Sequence, residues 1–344
     1  MTNLWHELLL PELRHLVRGQ LDHVSALALG LCCTSELSFL PYSANGCGSL
    51  EYMVANGHGA LALRCYPRTI TWCNTALLAS HGALECLTYA HEHNAPWHPT
   101  TTYYAAGAGH LGCLIYAVEH GAPLDGHTAI WAARGGHLDC LAYSYLPDDA
   151  FIINTVYEAI RGDHVECFHF LAEHGVALDT DILYVAAKNC SLKCITYMHE
   201  HGVPWIEDIT LEAAHAGSIA CLRYAIEHGA PMHPRTAYAA AVCGKFDCLV
   251  YAYEHGASLD PNGDESITYE IAIEGHLECL EFVHTHGGAP WHRATIPMAV
   301  RQGQRKIALY AYRHGADQGH AKSISIVQRW LKEEEEEIKK VVIK

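Results

Sequence analysis

The sequence predicts an all-α solenoid of about ten helix–turn–helix repeats, with short loops between them, and three observations carry that reading. A cysteine recurs on a ruler: Cys86, Cys113, Cys140, Cys167, Cys194, Cys221 and Cys248 are each 27 residues apart. Cys279 follows after a step of 31 that contains the insertion "PNGDES". The text around each cysteine is nearly the same, as in "GHLGCLIYAVEHGAP" from Gly109 and "GSIACLRYAIEHGAPM" from Gly217. An Ala-Ala pair precedes most of these blocks: Ala105-Ala106, Ala132-Ala133, Ala186-Ala187, Ala213-Ala214 and Ala240-Ala241. Ile307 takes the cysteine's place in a final repeat, and Tyr52 in a blurred first one.

Composition narrows the function classes. Half of the 344 residues are apolar, so a stack of repeats has ample material to bury. No apolar run is long enough to cross a bilayer, and no signal peptide opens the chain. The net charge of −16 argues against nucleic acid or an anionic membrane as the main partner. The 15 cysteines fall mostly at one helical position of successive repeats. Packed helices lie roughly 8–10 Å apart, whereas bridged cysteines need Cα atoms within about 7 Å. The ladder is therefore expected to be reduced thiols in an intracellular protein.

The first 40 residues stand outside the array. "LLPELRHLVRGQLDHVSALALGLCCTSEL" opens on Leu10-Pro11-Glu12-Leu13 and carries Leu16, Val17 and Leu21 at helical spacing, then Leu27, Leu31 and Cys32. The segment resembles the F-box, whose pattern runs LP-x-E-hydrophobic, a short helix, then D-x-x-x-L and a V-C pair. Asp22, Leu27 and Leu31-Cys32 fit, while Thr34-Ser35-Glu36 replaces the usual basic-x-Trp end. The resemblance implies that Leu10, Pro11, Glu12, Leu13, Leu16, Leu27 and Leu31 form a face that docks on the Skp adaptor of a cullin-type ubiquitin ligase. The other reading is a hydrophobic helix pair that caps the first repeat.

From residue 41 to 318 each repeat reads as two helices. Thirteen residues before the cysteines stand Thr100, His127, Asn154, Asp181, Asp208, Arg235 and Ser266, most of them good N-cap residues. The Ala-Ala pairs then let the first helix pack closely on its neighbour. In the second helix the cysteine, the residue after it, the apolar residue two before it (Leu84, Leu111, Leu138) and the aromatic three after it (Tyr89, Tyr116, Tyr143) form a broad apolar stripe. His-Gly closes the helix, with Gly supplying the positive φ of the C-cap. One repeat departs: "SYLPDDAF" puts Pro147 where others have His, so its second helix is expected to stop near Tyr145 or Leu146.

"AAGAGHLGCLIYAVEHGA" resembles the ankyrin repeat's "AAxxGHLEVVKLLLEHGA" through both helices, and the likeness extends over residues 44–318. The family period is about 33 residues, so these repeats are about six shorter. The missing residues fall where ankyrins carry a β-hairpin, so bare loops are expected there. The short "GHLxCLxYAxEHGAPW" form resembles ankyrin proteins of giant DNA viruses infecting amoebae, which implies a place in the host cytoplasm. It also implies that the "GH" and "HG" histidines, such as His110, His137, His120 and His174, serve turns and inter-repeat hydrogen bonds.

No cofactor is expected. Zinc needs ligands converging tetrahedrally at roughly 2.0–2.3 Å, but the ladder cysteine faces the core and the next histidine lies two turns away. There is no G-x-S-x-G, Walker loop or H-E-x-x-H. Trp97, Leu124, Phe151, Leu178, Trp205, Met232 and Leu259, with Trp291 one place later, read as inter-repeat packing. Arg134, Arg161 and Lys188 share one place late in the first helix of three successive repeats, a candidate partner-binding patch or else a solvated face.

Residues 319–344 read as a capping helix, with Ile324, Val327 and Leu331 at helical spacing, and a charged tail beginning at five glutamates. Together these features predict a non-enzymatic protein-interaction scaffold. It is either a substrate receptor that links a host protein to the ubiquitin machinery, or a structural or titrating scaffold without that link.

Overall fold

The computed structural model describes residues 75–342 apart from 148–149, 261–265, 288 and 317–318, with side chains through residue 337. The candidate face Leu10, Pro11, Glu12, Leu13, Leu16, Leu27 and Leu31, and the repeat around Tyr52, lie outside the described residues.

Among the described residues the fold is all-helical, with no strand. Nine helix pairs follow one another: Thr75–Ser80 with Leu84–Glu92, Thr101–Gly107 with Leu111–Glu119, and Gly126–Gly135 with Leu138–Ser144. Next come Ile152–Arg161 with Val165–Glu173, Thr180–Lys188 with Leu192–Glu200, and Ile209–Ala216 with Ile219–Glu227. The last are Thr236–Val242 with Phe246–Glu254, Ile267–Glu274 with Leu277–Thr285, and Thr295–Arg301 with Arg305–Arg313. Helices of two to three turns are marginal alone in water, so their stability comes from stacking. The chain gathers into two compact units. Among the described residues one holds 75–162 together with Glu166–His174, and the other holds Asp163–Val165 and those from Gly175 onward. Within each, successive first helices lie side by side, and so do most successive second helices.

The cysteine ladder is the core. Cys86, Cys113, Cys140, Cys167, Cys194, Cys221, Cys248 and Cys279 are buried free thiols. The residue after each (Leu87, Leu114, Phe168 and their equivalents) is also buried, as is the residue four after (Ala90, Ala117, Leu171). The apolar stripe is narrower than the sequence suggests. Leu84, Leu138 and Phe246, two before the cysteine, are exposed, because the buried arc of a helix is covered by the cysteine and the residues one and four after it. The Ala-Ala pairs are buried on the first helices, as their size implies.

The caps show which local signals decide. Gly121 has φ +92°, its N–H bonds the Val118 carbonyl at 3.1 Å, and the Ala122 N–H bonds the Ala117 carbonyl at 2.9 Å. This is the paired C-terminal closure that only a left-handed residue permits. At the amino ends, three expected N-caps shift. The helix begins after Asp125, not His127, and Asp125 Oδ1 accepts the His127 N–H at 3.0 Å. It begins after Asp179, not Asp181, and Asp179 accepts the Ile182 N–H at 2.9 Å. Phe151, not Asn154, precedes Ile152–Arg161. In the first two an aspartate two residues upstream competes better, because its extended backbone aims the carboxylate at the free N–H groups.

Buried threonines join repeats at this end. Thr102 Oγ1 donates to the Pro123 carbonyl at 2.8 Å, and Thr210 Oγ1 to that of Pro231 at 3.2 Å. Thr75 and Thr101 hydroxyls meet at 2.8 Å, and Thr236 Oγ1 donates to Thr210 Oγ1 at 3.2 Å. Each buried hydroxyl is thereby satisfied, and the loop between repeats is pinned to the preceding helix.

The repeat with Pro147 ends its second helix at Ser144, and Tyr145 turns extended. Its hydroxyl donates to the His174 carbonyl at 3.1 Å, and its ring meets Phe170 edge-on at 5.4 Å. Stacking continues while the helix has lost its last turn. Hydrogen exchange measured by mass spectrometry should therefore find residues 145–147 far less protected than 172–174, where the His174 N–H still bonds the Phe170 carbonyl at 3.1 Å. Equal protection of the two stretches would mean that the lost turn is compensated.

The closing helix, Ala321–Val342, runs through the glutamate run. Ile324 and Val327 are buried, and Arg313 pairs with Glu334 at 2.8 Å and Arg305 with Glu333 at 3.3 Å. The basic residues of the last repeat thus meet the acids of the cap. No described helix is long and apolar enough to cross a membrane.

Candidate partner-binding surface

Three structural jobs recur among the described histidines. At the C-cap, His120 Nδ1 lies 2.8 Å from the Tyr116 carbonyl, and its ring stacks on the Tyr116 ring at 4.0 Å. His201 on Tyr197 and His228 on Tyr224 repeat this arrangement. Ring and carbonyl together close the helix end.

The second job falls to histidines five after the ladder cysteine. His91 stacks on Trp97 at 4.8 Å, His199 on Trp205 at 4.5 Å, and His284 on Trp291 at 4.4 Å. Each tryptophan donates its Nε1–H to the carbonyl of the next repeat's C-cap histidine: Trp97 to His120 at 2.8 Å, Trp205 to His228 at 2.9 Å and Trp291 to His314 at 2.9 Å. The expected packing role holds, with a directional bond added. Sequence reasoning missed the pairing, although the signal is plain: His91, His199 and His284 occur in the same repeats as Trp97, Trp205 and Trp291.

The third job belongs to the "GH" histidines. His110 lies over Gly82 of the preceding repeat, so that a Cβ on Gly82 would fall 2.6 Å from His110 Nδ1. His137 covers Gly109 in the same way. Burial pushes His110 below its ordinary 6.5, with His137 and His81 adding to the fall and the Ser80 backbone bond opposing it. Two repeats lack the glycine. Asp163 (φ +52°) and Cys190 (φ +62°) hold the left-handed position there, and the covering residue 28 further on is the small Ser191 or Ser218. Among the described residues, no three His, Cys, Asp or Glu side chains gather where they could hold a metal ion.

Arg134 and Arg161 do come together, on the first helices Gly126–Gly135 and Ile152–Arg161. Glu158 lies between them, with Oε1 3.1 Å from Arg161 Nη1 and Oε2 3.9 Å from Arg134 Nε. Lys188 is exposed at the end of Thr180–Lys188, in the other compact unit.

Around the two arginines the same helices present aromatic rings. Arg134 lies over Trp131 at 5.2 Å, and Trp131 meets Tyr104 at 5.5 Å. Tyr104 is 43% exposed and Tyr157 37% exposed. Gly107 leaves room for the indole, since a Cβ there would lie 3.1 Å from Trp131 Cε3. Beside them the Tyr103 hydroxyl donates to Asp125 Oδ2 at 2.6 Å, and burial, helped by that carboxylate, pushes its phenol up to about 12. Three neighbouring first helices thus carry Tyr104, Trp131 and Arg134 in contact, with Arg161 joined through Glu158 and the exposed Tyr157 one turn before it. Trp, Tyr and Arg are the side chains that carry most binding energy at protein interfaces.

No family model and no curated protein matches the chain. Among solved structures it is similar to the human ASB11 ankyrin repeat domain. That match has 19% identity and a TM-score of 0.39, and covers 46% of this chain and 84% of that one. The helix-pair period described above stands independently of that likeness.

Proposed function

We propose that the chain is a non-enzymatic protein-recognition scaffold that captures a partner on the first-helix face built from Tyr104, Trp131, Arg134, Tyr157 and Arg161. The observation that carries this reading is the exposure of Tyr104 and Tyr157 and the half-buried Trp131 under Arg134, where a helix stack alone needs only small or polar residues. The resemblance of the repeats to ankyrin sequences supports it, and so does the want of catalytic motifs. A photo-crosslinking residue at Tyr104 should trap a discrete protein from amoebal lysate, while the same residue at Leu84, exposed on a second helix, should not. Identical products from both sites would contradict the assignment.

On the F-box resemblance of residues 10–32, the captured protein is delivered to a cullin-type ubiquitin ligase in the host cytoplasm. Full-length protein should then retain the Skp adaptor in a pull-down at micromolar concentration, and Leu13→Asp with Leu16→Asp should abolish retention while the helical content is unchanged. The second reading, a structural or titrating scaffold, is favoured by Thr34-Ser35-Glu36 standing where the F-box carries its basic-x-Trp end. No adaptor retention by the unmutated protein would establish it.

A further inference from the structure

We infer that a groove in the carboxy-terminal compact unit takes the lysine or arginine side chain of a partner segment. The groove has a volume of about 280 Å³ and crosses the first helices Ile209–Ala216, Thr236–Val242 and Ile267–Glu274. Its apolar lining comes from Leu211, Ala239 and Val242, and carboxylates stand on either side, Glu212 on one flanking helix and Glu270 on the other. The volume falls just below the range of about 300–1,000 Å³ typical of small-molecule sites, so one long side chain fits it better than a cofactor.

Charge selects which side chain. Glu212 accepts the Tyr184 hydroxyl at 3.1 Å, which fixes its carboxylate, and Glu270 has no ion-pair partner among the described residues. Two basic side chains, His215 and Arg235, also line the groove, and the Arg235 guanidinium is held over the Tyr238 ring at 5.4 Å. Two carboxylates facing an apolar trough match a side chain with a hydrocarbon stem and a cationic head. A neutral stem would leave the carboxylates without a counter-charge, and an acidic head would be repelled. This site is separate from the face of Tyr104 and Trp131, and its test does not depend on that face.

The test uses the full chain and fluorescein-labelled heptapeptide pools with a fixed central Lys, Arg, norleucine or Glu among Gly, Ala, Leu and Ser, read by fluorescence anisotropy. The Lys and Arg pools should bind about 10-fold tighter than the norleucine pool, and the Glu pool should bind least. Glu212→Gln with Glu270→Gln should erase the difference between Lys and norleucine. Val242→Lys, which places a cation in the trough, should do the same if the double variant folds poorly. Saturation with the Lys pool should also slow alkylation of Cys243, which lines the groove, relative to the exposed Cys190. Trp131→Ala with Arg134→Glu should leave all of this unchanged. Equal binding of the Lys and norleucine pools, preference for Glu, no binding by any pool, or indifference to Val242→Lys would each overturn the proposal.

Discussion

Raising the pH from 9 to 11 should unfold the repeat stack cooperatively. Burial pushes the thiols of Cys113, Cys140, Cys167, Cys221, Cys248 and Cys279 from 9.0 up to about 11. Beside Cys140, Cys167 and Cys279 the preceding carboxylates Asp139, Glu166 and Glu278 add to the rise. A thiol kept neutral in the fold holds its proton more tightly there than in the unfolded chain. The stability it contributes is therefore complete below pH 9 and is lost as the pH climbs to about 11. Each pH unit in that window is worth about 1.4 kcal/mol per fully shielded thiol, so the ladder forfeits on the order of 10 kcal/mol. That is comparable to the entire net stability of a typical domain, about 5–15 kcal/mol. Circular dichroism followed against pH should show the loss. Replacing Cys113, Cys140 and Cys167 by Ala should lower stability at neutral pH by about 1–2 kcal/mol each, yet make the alkaline decline shallower. An equally steep decline in that variant would assign the effect to other groups.

Gly109→Ala should be among the most damaging single substitutions in the amino-terminal unit. Gly109 has φ +77°, and an added Cβ would lie 2.5 Å from His137 Nδ1. Left-handed backbone costs a residue with a side chain roughly 1–2 kcal/mol, and forcing the imidazole aside costs about 1–3 kcal/mol more. The steric part should be recoverable. Asp163 tolerates the same backbone position opposite Ser191, and its Oδ1 even accepts the Lys193 and Cys194 N–H groups at 3.0 and 3.2 Å. Gly109→Asp with His137→Ser should therefore be more stable than the sum of the two single changes, by at least about 1 kcal/mol in a denaturant-melt double-mutant cycle. Additivity would mean that the histidine is not seated on the glycine.

The period was legible because the ladder cysteine, Ala-Ala and His-Gly each meet a requirement that recurs in most repeats: a core position, a close helix contact and a left-handed cap. The finer placement was not. Leu84 and Phe246 read as buried because they are apolar, but they fall at the edge of the arc that stacking covers. Nothing in the sequence marks Thr102 and Thr210 as buried, and their hydroxyls are satisfied there only because the next repeat's proline carbonyl arrives within reach. Arg134 and Arg161 were visible as a repeated position. Glu158, three before Arg161 and so on the same helix face, could have warned that the pair shares a counter-charge. Tyr104 and Trp131 share one place, 27 residues apart, but the following repeats carry Glu158 and Val185 there, so the aromatic does not recur along the array.

Quantitative affinity capture compares the wild-type chain with Trp131→Ala/Arg134→Glu/Arg161→Glu, each confirmed as folded by its thermal melt. Proteins held by the wild type should fall at least about 10-fold on the triple variant, as expected when hot-spot side chains are lost. An unchanged set, held equally by both, would contradict recognition through this face.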